Sequence, residues 1–312
     1  MNITRTLLCA LLLLTGLAWQ PPASAQAADA YTAKGADTCL ECHDDETLAY
    51  SASALFKTKH AQRGGKRSPF GAGGLQCEAC HGPGALHAKN KKSEAIGGFK
   101  ADSKFTLEQR NQVCMNCHEG LARTSWHAGA HERGKLACTD CHKVHKEHDP
   151  VLSKASEPPV CMSCHKQQRV DFNKTSSHPV RQGLIGCSDC HSPHGSSAPA
   201  MLVKPTLNQT CFTCHADKRG PLLWEHAPVA EDCALCHSAH GSVRPALLTK
   251  TPPLLCQQCH SPAGHPSLAR TPAGLPGGGG GGGSIFLVGG SCTNCHSQVH
   301  GSNHPAGSKL LR

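Results

Sequence analysis

The sequence predicts a chain of mostly coil with short α-helices and almost no sheet, strung out as an elongated array of two-motif repeats. Three observations predict it. Cys-x-x-Cys-His occurs ten times, opening at Cys39, Cys77, Cys114, Cys138, Cys161, Cys187, Cys211, Cys233, Cys256 and Cys292. The odd-numbered motifs from Cys114 on are 47, 50 and 45 residues apart, and the even ones from Cys138 are 49 and 46 apart, so the period holds two motifs. The third observation is punctuation: 21 prolines, 32 glycines and no long apolar face of helical period.

The elements follow in order. Residues 1–25 read as an export signal: Arg5, then the apolar stretch Leu7 to Trp19, then the small-residue site Ala23-Ser24-Ala25. Cleavage there leaves 287 residues and discards Cys9. The mature chain divides into an N-terminal half, 26–170, and a C-terminal half, 171–312, with five motifs each. Motifs one and two sit in longer segments and form an atypical end unit. Helices are expected around the motifs, for example Thr106 to Gly120. A linking phrase recurs before odd motifs: Asp149-Pro150-Val151-Leu152-Ser153-Lys154, Ala198-Pro199-Ala200-Met201-Leu202-Val203-Lys204 and Arg244-Pro245-Ala246-Leu247-Leu248-Thr249-Lys250. A Gly-rich insertion, 272–290 with Gly277 to Gly283 at its centre, interrupts the last unit and reads as a flexible surface loop.

Each motif is the attachment signature of a c-type haem: two thiols bond the porphyrin's vinyl groups and the next histidine reaches the iron. The ten pairs are Cys39 and Cys42, Cys77 and Cys80, Cys114 and Cys117, Cys138 and Cys141, Cys161 and Cys164, Cys187 and Cys190, Cys211 and Cys214, Cys233 and Cys236, Cys256 and Cys259, and Cys292 and Cys295. The proximal ligands are His43, His81, His118, His142, His165, His191, His215, His237, His260 and His296. These pairs use every cysteine but Cys9, so no mature thiol remains for a disulfide or a nucleophile. A zinc site or a thioredoxin-like motif would need pairs without the trailing histidine. The reading is a multihaem cytochrome c with ten haems, too dense for a conventional apolar core.

Charge excludes one partner class. The formal charge of +9 becomes +8 without Arg5. Each oxidised haem adds about −1 through its propionates, so the total falls to roughly −2. The basic residues are propionate partners rather than a nucleic-acid surface. The export signal, with covalent haem attachment taking place outside the cytoplasm in bacteria, points to the periplasm, and no segment after the signal approaches the ~20 apolar residues of a spanning helix.

Ten irons need ten more axial ligands. Thirteen histidines lie outside the motifs, whereas Met201 is the one free methionine once Met1 leaves and Met115 and Met162 are set aside inside motif spacers. Histidine on both axial sides therefore follows, giving low potentials and no open coordination position. His145, His194 and His240 share one offset after even motifs, and His178 and His226 precede even motifs by similar distances. His60 and His87 serve the end unit by elimination, and His265 and His300 the last. His131 is preferred over His127, His145 over His148, and His300 over His304.

The ten motifs, their pairing, Cys77-Glu78-Ala79-Cys80-His81-Gly82-Pro83-Gly84 and the ending Cys295-His296-Ser297-Gln298-Val299-His300-Gly301-Ser302-Asn303-His304-Pro305 resemble the decahaem cytochromes of the MtrA/PioA/DmsE type. The glycine run departs from that pattern. The resemblance implies a staggered chain of haems held inside an outer-membrane β-barrel porin. It implies electron transfer, not enzymatic turnover, between periplasmic or inner-membrane cytochrome donors and an outer-surface multihaem cytochrome or reductase, or extracellular metal. A compact globule of this length would be roughly 50 Å across. That exceeds the ~40–45 Å of a bilayer, which a polar chain could cross only within a polar-lined barrel. The alternative is a soluble periplasmic carrier feeding a terminal reductase. An oxyanion-reducing enzyme would need an iron with a vacant position, which the histidine count opposes.

Overall fold

The computed structural model describes residues 31–43, 60, 76–90, 95–120, 123–261 and 292–311. The signal segment, His265 and the glycine run lie outside the described residues. The chain divides into two compact units, 1–106 and 107–312. The break between the units follows the end unit of the first two motifs.

The first unit contains α1 (Ala36–Leu40), α2 (Cys77–His81) and α3 (Ala85–Lys89). Its anchor is Glu78, 2% exposed. A carboxylate that deeply buried needs several donors. It accepts from Thr32 N and Oγ1 and from Gly84 N, at 2.7–3.0 Å. The motif opening at Cys77 is thereby tied to the chain before the motif opening at Cys39.

The second unit contains α4 (Leu107–His118), α5 (Ala130–Arg133), α6 (Cys138–Cys141), α7 (Glu157–Met162), α8 (Lys166–Asp171), α9 (Leu207–Cys211) and α10 (Ala227–Glu231). Short 3₁₀ turns carry the motifs opening at Cys187, Cys233, Cys256 and Cys292. Among the described residues there is no strand, and β pairing is confined to four isolated bridges. The helix expected over Thr106 to Gly120 is α4. Buried apolar residues are few and scattered, among them Met115, Trp126, Phe172, Val180 and Leu202. A core of that size cannot hold some two hundred residues by apolar burial alone.

Polar clamps do part of that work, and they recur. Asn111, three residues before Cys114, accepts from Cys138 N at 2.9 Å and donates to Leu136 O at 3.0 Å. Asn208, three before Cys211, accepts from Cys233 N at 2.8 Å and donates to Val229 O and Ala230 O. Glu157, four before Cys161 and buried, accepts from Ser188 N at 3.0 Å. Each clamp fastens an odd motif to the even motif that follows it. Asn208→Ala would leave a buried N–H and two carbonyls unmet, costing about 1–3 kcal/mol. The expected result is a lower thermal midpoint with haem content unchanged, checked by calorimetry beside an intact mass.

Candidate haem-binding sites

The motif fixes its own geometry. In one helical turn, residues i, i+3 and i+4 share a face. The backbone N–H of each final histidine closes that turn onto the carbonyl of the first cysteine, at 2.9–3.0 Å for His43, His142, His165, His191, His215, His237, His260 and His296. Both sulfurs and the imidazole therefore point to one side of each turn.

The motif sulfurs meet in chain order. Within the first unit the thiol of Cys39 hydrogen-bonds with that of Cys77, which pushes Cys39 up. In the second unit the first cysteines of motifs three and four touch: the bond from Cys114 holds Cys138 down to about 7. The bond with Cys187 pushes Cys161 up. Burial, then the neighbouring Cys233, pushes Cys211 up to about 12; burial, then Cys292, pushes Cys256 up to about 11. The second cysteines alternate with these contacts. Cys141 is raised by burial and then by Cys161, Cys190 by burial with Asp189 and Cys214, and Cys236 by burial and Cys259. Motifs three to ten thus form one unbroken series of neighbours. Thioether bonds would abolish these titrations, but the adjacency would remain.

Histidine rings face one another in pairs. A metal–imidazole bond is about 2 Å, so two rings coordinating one metal from opposite sides lie about 6.3 Å apart at their centroids. The structure places His43 opposite His87 at 6.3 Å, His142 opposite His194 at 5.9 Å, and His165 opposite His131 at 6.1 Å. It places His191 opposite His240 at 6.0 Å, His215 opposite His178 at 6.3 Å, His237 opposite His300 at 6.1 Å, and His260 opposite His226 at 6.0 Å. Each pair joins a motif histidine to one outside the motifs. Among the described residues no three histidine, cysteine or acidic side chains cluster to hold a bare metal. Two axial donors without equatorial ones suit a porphyrin iron, so the residues fit the group.

The remaining candidates are placed as follows. His60 is exposed and His145 half-buried. His81 donates its Nδ1–H to Gly97 O at 2.7 Å and meets Phe99 edge-on. His127 bonds Glu132 instead of facing a motif histidine, at 2.9 Å. His304 accepts from Ala306 N at 3.1 Å, and His148 is exposed.

The backbone around the non-motif histidines repeats. Ser176 exchanges two hydrogen bonds with Ser242, and Trp224 exchanges two with Ser302. These bridges lie two residues before His178 and His226 and two after His240 and His300. They bring the histidine that faces one motif beside the histidine that faces the neighbouring motif. A shared peptide completes the link: His131, His178 and His226 donate Nδ1–H to the carbonyls of Pro193, Ala239 and Val299, at 2.7–2.9 Å. Those carbonyls belong to the residues just before His194, His240 and His300. Burial, the largest influence, pushes these last three histidines below their usual range. It favours the neutral ring that ligates metal.

Sequence reasoning missed the glycine after each of these histidines. Gly195 has φ +102°, and a Cβ there would run into Ser125 O; Gly241 and Gly301 meet Asp171 O and Trp224 O in the same way. A recurring His-Gly after the even motifs was the available signal. Gly195→Ala combines a left-handed φ with a backbone collision. The expected outcome is displacement of His194, read as the loss of one low-spin bis-histidine signal by electron paramagnetic resonance with all haems still attached.

The NrfB-like cytochrome c-type family matches residues 77–158, and the doubled CXXCH motif matches 178–220 and 226–265. The chain is 50% identical over 283 residues to multiheme cytochrome MtrA of Shewanella baltica, covering 90% of this chain and 83% of that protein. It is 29% identical over 188 residues to cytochrome c-type protein NrfB of Escherichia coli, 55% of this chain and 93% of the relative. Against C-type polyheme cytochrome OmcB of Geobacter sulfurreducens it is 24% identical over 202 residues, 58% of this chain and 25% of the relative.

Proposed function

The chain belongs to the MtrA family of multihaem c-type cytochromes and is an electron-transfer protein rather than an enzyme; from that premise we propose that its ten motifs carry ten haems in chain order and that it conducts electrons between periplasm and cell exterior inside an outer-membrane porin. The haems supply one-electron redox chemistry. The protein's own residues do the rest. The cysteines fix each group covalently, and the clamps at Asn111, Glu157 and Asn208 hold consecutive motifs together. The facing histidines occupy both axial sides and leave no position for a substrate. The unbroken series of sulfur neighbours from Cys114 to Cys292 carries the proposal, because a conduit needs each centre beside the next.

No helix among the described residues is long and apolar enough to cross a membrane. A polar chain crosses only within a polar-lined barrel, which is why the proposed partner is a porin. Periplasmic or inner-membrane cytochromes would serve as donors, and an outer-surface multihaem cytochrome or reductase would meet the other end. Two experiments test the reading. Extraction of outer membranes in mild detergent is expected to recover the protein with a β-barrel partner; recovery alone from the periplasmic fraction would favour a diffusing carrier. In the purified complex, Cys190→Ala weakens the attachment of one haem mid-series and is expected to slow transport across proteoliposomes. Unchanged rates would argue against a single path.

A further inference from the structure

The second partners of the motif histidines are nearly uniform. Of the five even motifs, four donate the Nδ1–H of their histidine to a main-chain carbonyl: His81 to Gly97, His191 to Ala200, His237 to Ala246 and His296 to Lys309, at 2.7–2.9 Å. His142 differs. It donates to a carboxylate, Asp149 Oδ2, at 2.6 Å.

The difference is built into the linking phrase. Asp149, Ala198 and Arg244 each lie seven residues after their motif histidine. In the two later units the phrase turns through consecutive left-handed residues, Ala200 and Met201, then Ala246 and Leu247, with φ between 51° and 57°. That turn aims the carbonyls of Ala200 and Ala246 at His191 and His237. In the earlier unit Pro150–Leu152 keeps a right-handed 3₁₀ turn, capped by Asp149. Its carboxylate takes the carbonyl's place. Oδ1 is pinned by the N–H groups of Lys143 and Val151, at 3.3 and 3.4 Å, which leaves Oδ2 fixed on the imidazole. The Asp149 side chain is 16% exposed, so solvent screens the interaction only in part.

A carboxylate on the far nitrogen draws the proton away from a ligating imidazole and makes it a stronger donor to the metal. The added negative charge also favours the oxidised iron. A neutral carbonyl does less of both. We infer that Asp149 is a positioning and tuning residue that holds the haem of Cys138, Cys141 and His142 at a lower potential than the haems of His191 and His237. Among the even motifs this sets the haem of His142 apart from those whose histidines bond a main-chain carbonyl. The inference rests on the proposed ligation by His142 and His194, whose rings are within 7° of parallel.

The test uses the full holoprotein and the variants Asp149→Asn and Asp149→Ala. Intact mass and peptide mass establish haem content, and spectropotentiometry followed by electron paramagnetic resonance reads the centres. The expected result is a positive shift of about one tenth of the haem absorbance change in both variants, with one low-spin signal moved and Asp149→Glu partly restoring it. Titration curves and signals superimposable on the parent protein, with haem content equal, would overturn the inference. Loss of the low-spin signal itself would also overturn it, since Asp149 would then hold the ligand in place without tuning it. A Cys138–His142 peptide bearing no haem in the parent protein would sink the ligation reading, and the tuning with it.

Discussion

The distance between two facing imidazoles governs this fold. Each pair must stand about 6.3 Å apart to share one metal, and the seven described pairs stand between 5.9 and 6.3 Å. Little else in the chain is packed to comparable regularity. Among the described residues helices other than α4 last a turn or two, sheet shrinks to isolated bridges, and the buried apolar side chains are scattered. The polypeptide is organised to deliver ring nitrogens, and its hydrogen bonds are spent on that delivery.

The pairing is interleaved. Motif histidines of even number face a ring from beyond the next even motif, as His142 faces His194, His191 faces His240 and His237 faces His300. In the second unit three of odd number face a ring from before the preceding even motif, as His165 faces His131, His215 faces His178 and His260 faces His226. Among the described pairs of the second unit, each motif histidine faces a ring from outside its own two-motif unit, whereas His43 faces His87 within the first. A repeat array usually gains stability from interfaces between neighbours. Here the interfaces also set the facing histidine pairs, so loosening one unit displaces a ring facing the next.

Much of this was legible in the sequence. Ten identical motifs, the two-motif period and α4 could be read directly, because they are local patterns. Which ring faces which could not. His145, His194 and His240 look alike at one offset, yet a partner 52 residues away, as for His142 and His194, leaves no local trace. The linking phrase read as a mere connector. Its function appeared only when Ala200 and Ala246 turned left-handed and presented carbonyls to His191 and His237. The break after residue 106 follows the end unit that the longer segments around motifs one and two mark in the sequence.

The same peptides that hold ligands also join neighbouring centres. His131 bonds the carbonyl preceding His194, and His178 and His226 repeat the arrangement at Ala239 and Val299. A shift of one ligand therefore moves a donor to the adjacent one. Rigidity suits electron transfer, because small displacements of ligands on a change of oxidation state keep reorganisation small. A bridge of two backbone hydrogen bonds lies beside two of these three pairs, Ser176 with Ser242 and Trp224 with Ser302, and resists that displacement more effectively than side-chain packing could in so thin a core. Glycine at 241 and 301 is the consequence: only a residue without a Cβ lets the two segments of backbone approach closely enough for the bridge to form beside the histidine, and Gly195 allows a similarly close approach to Ser125 O.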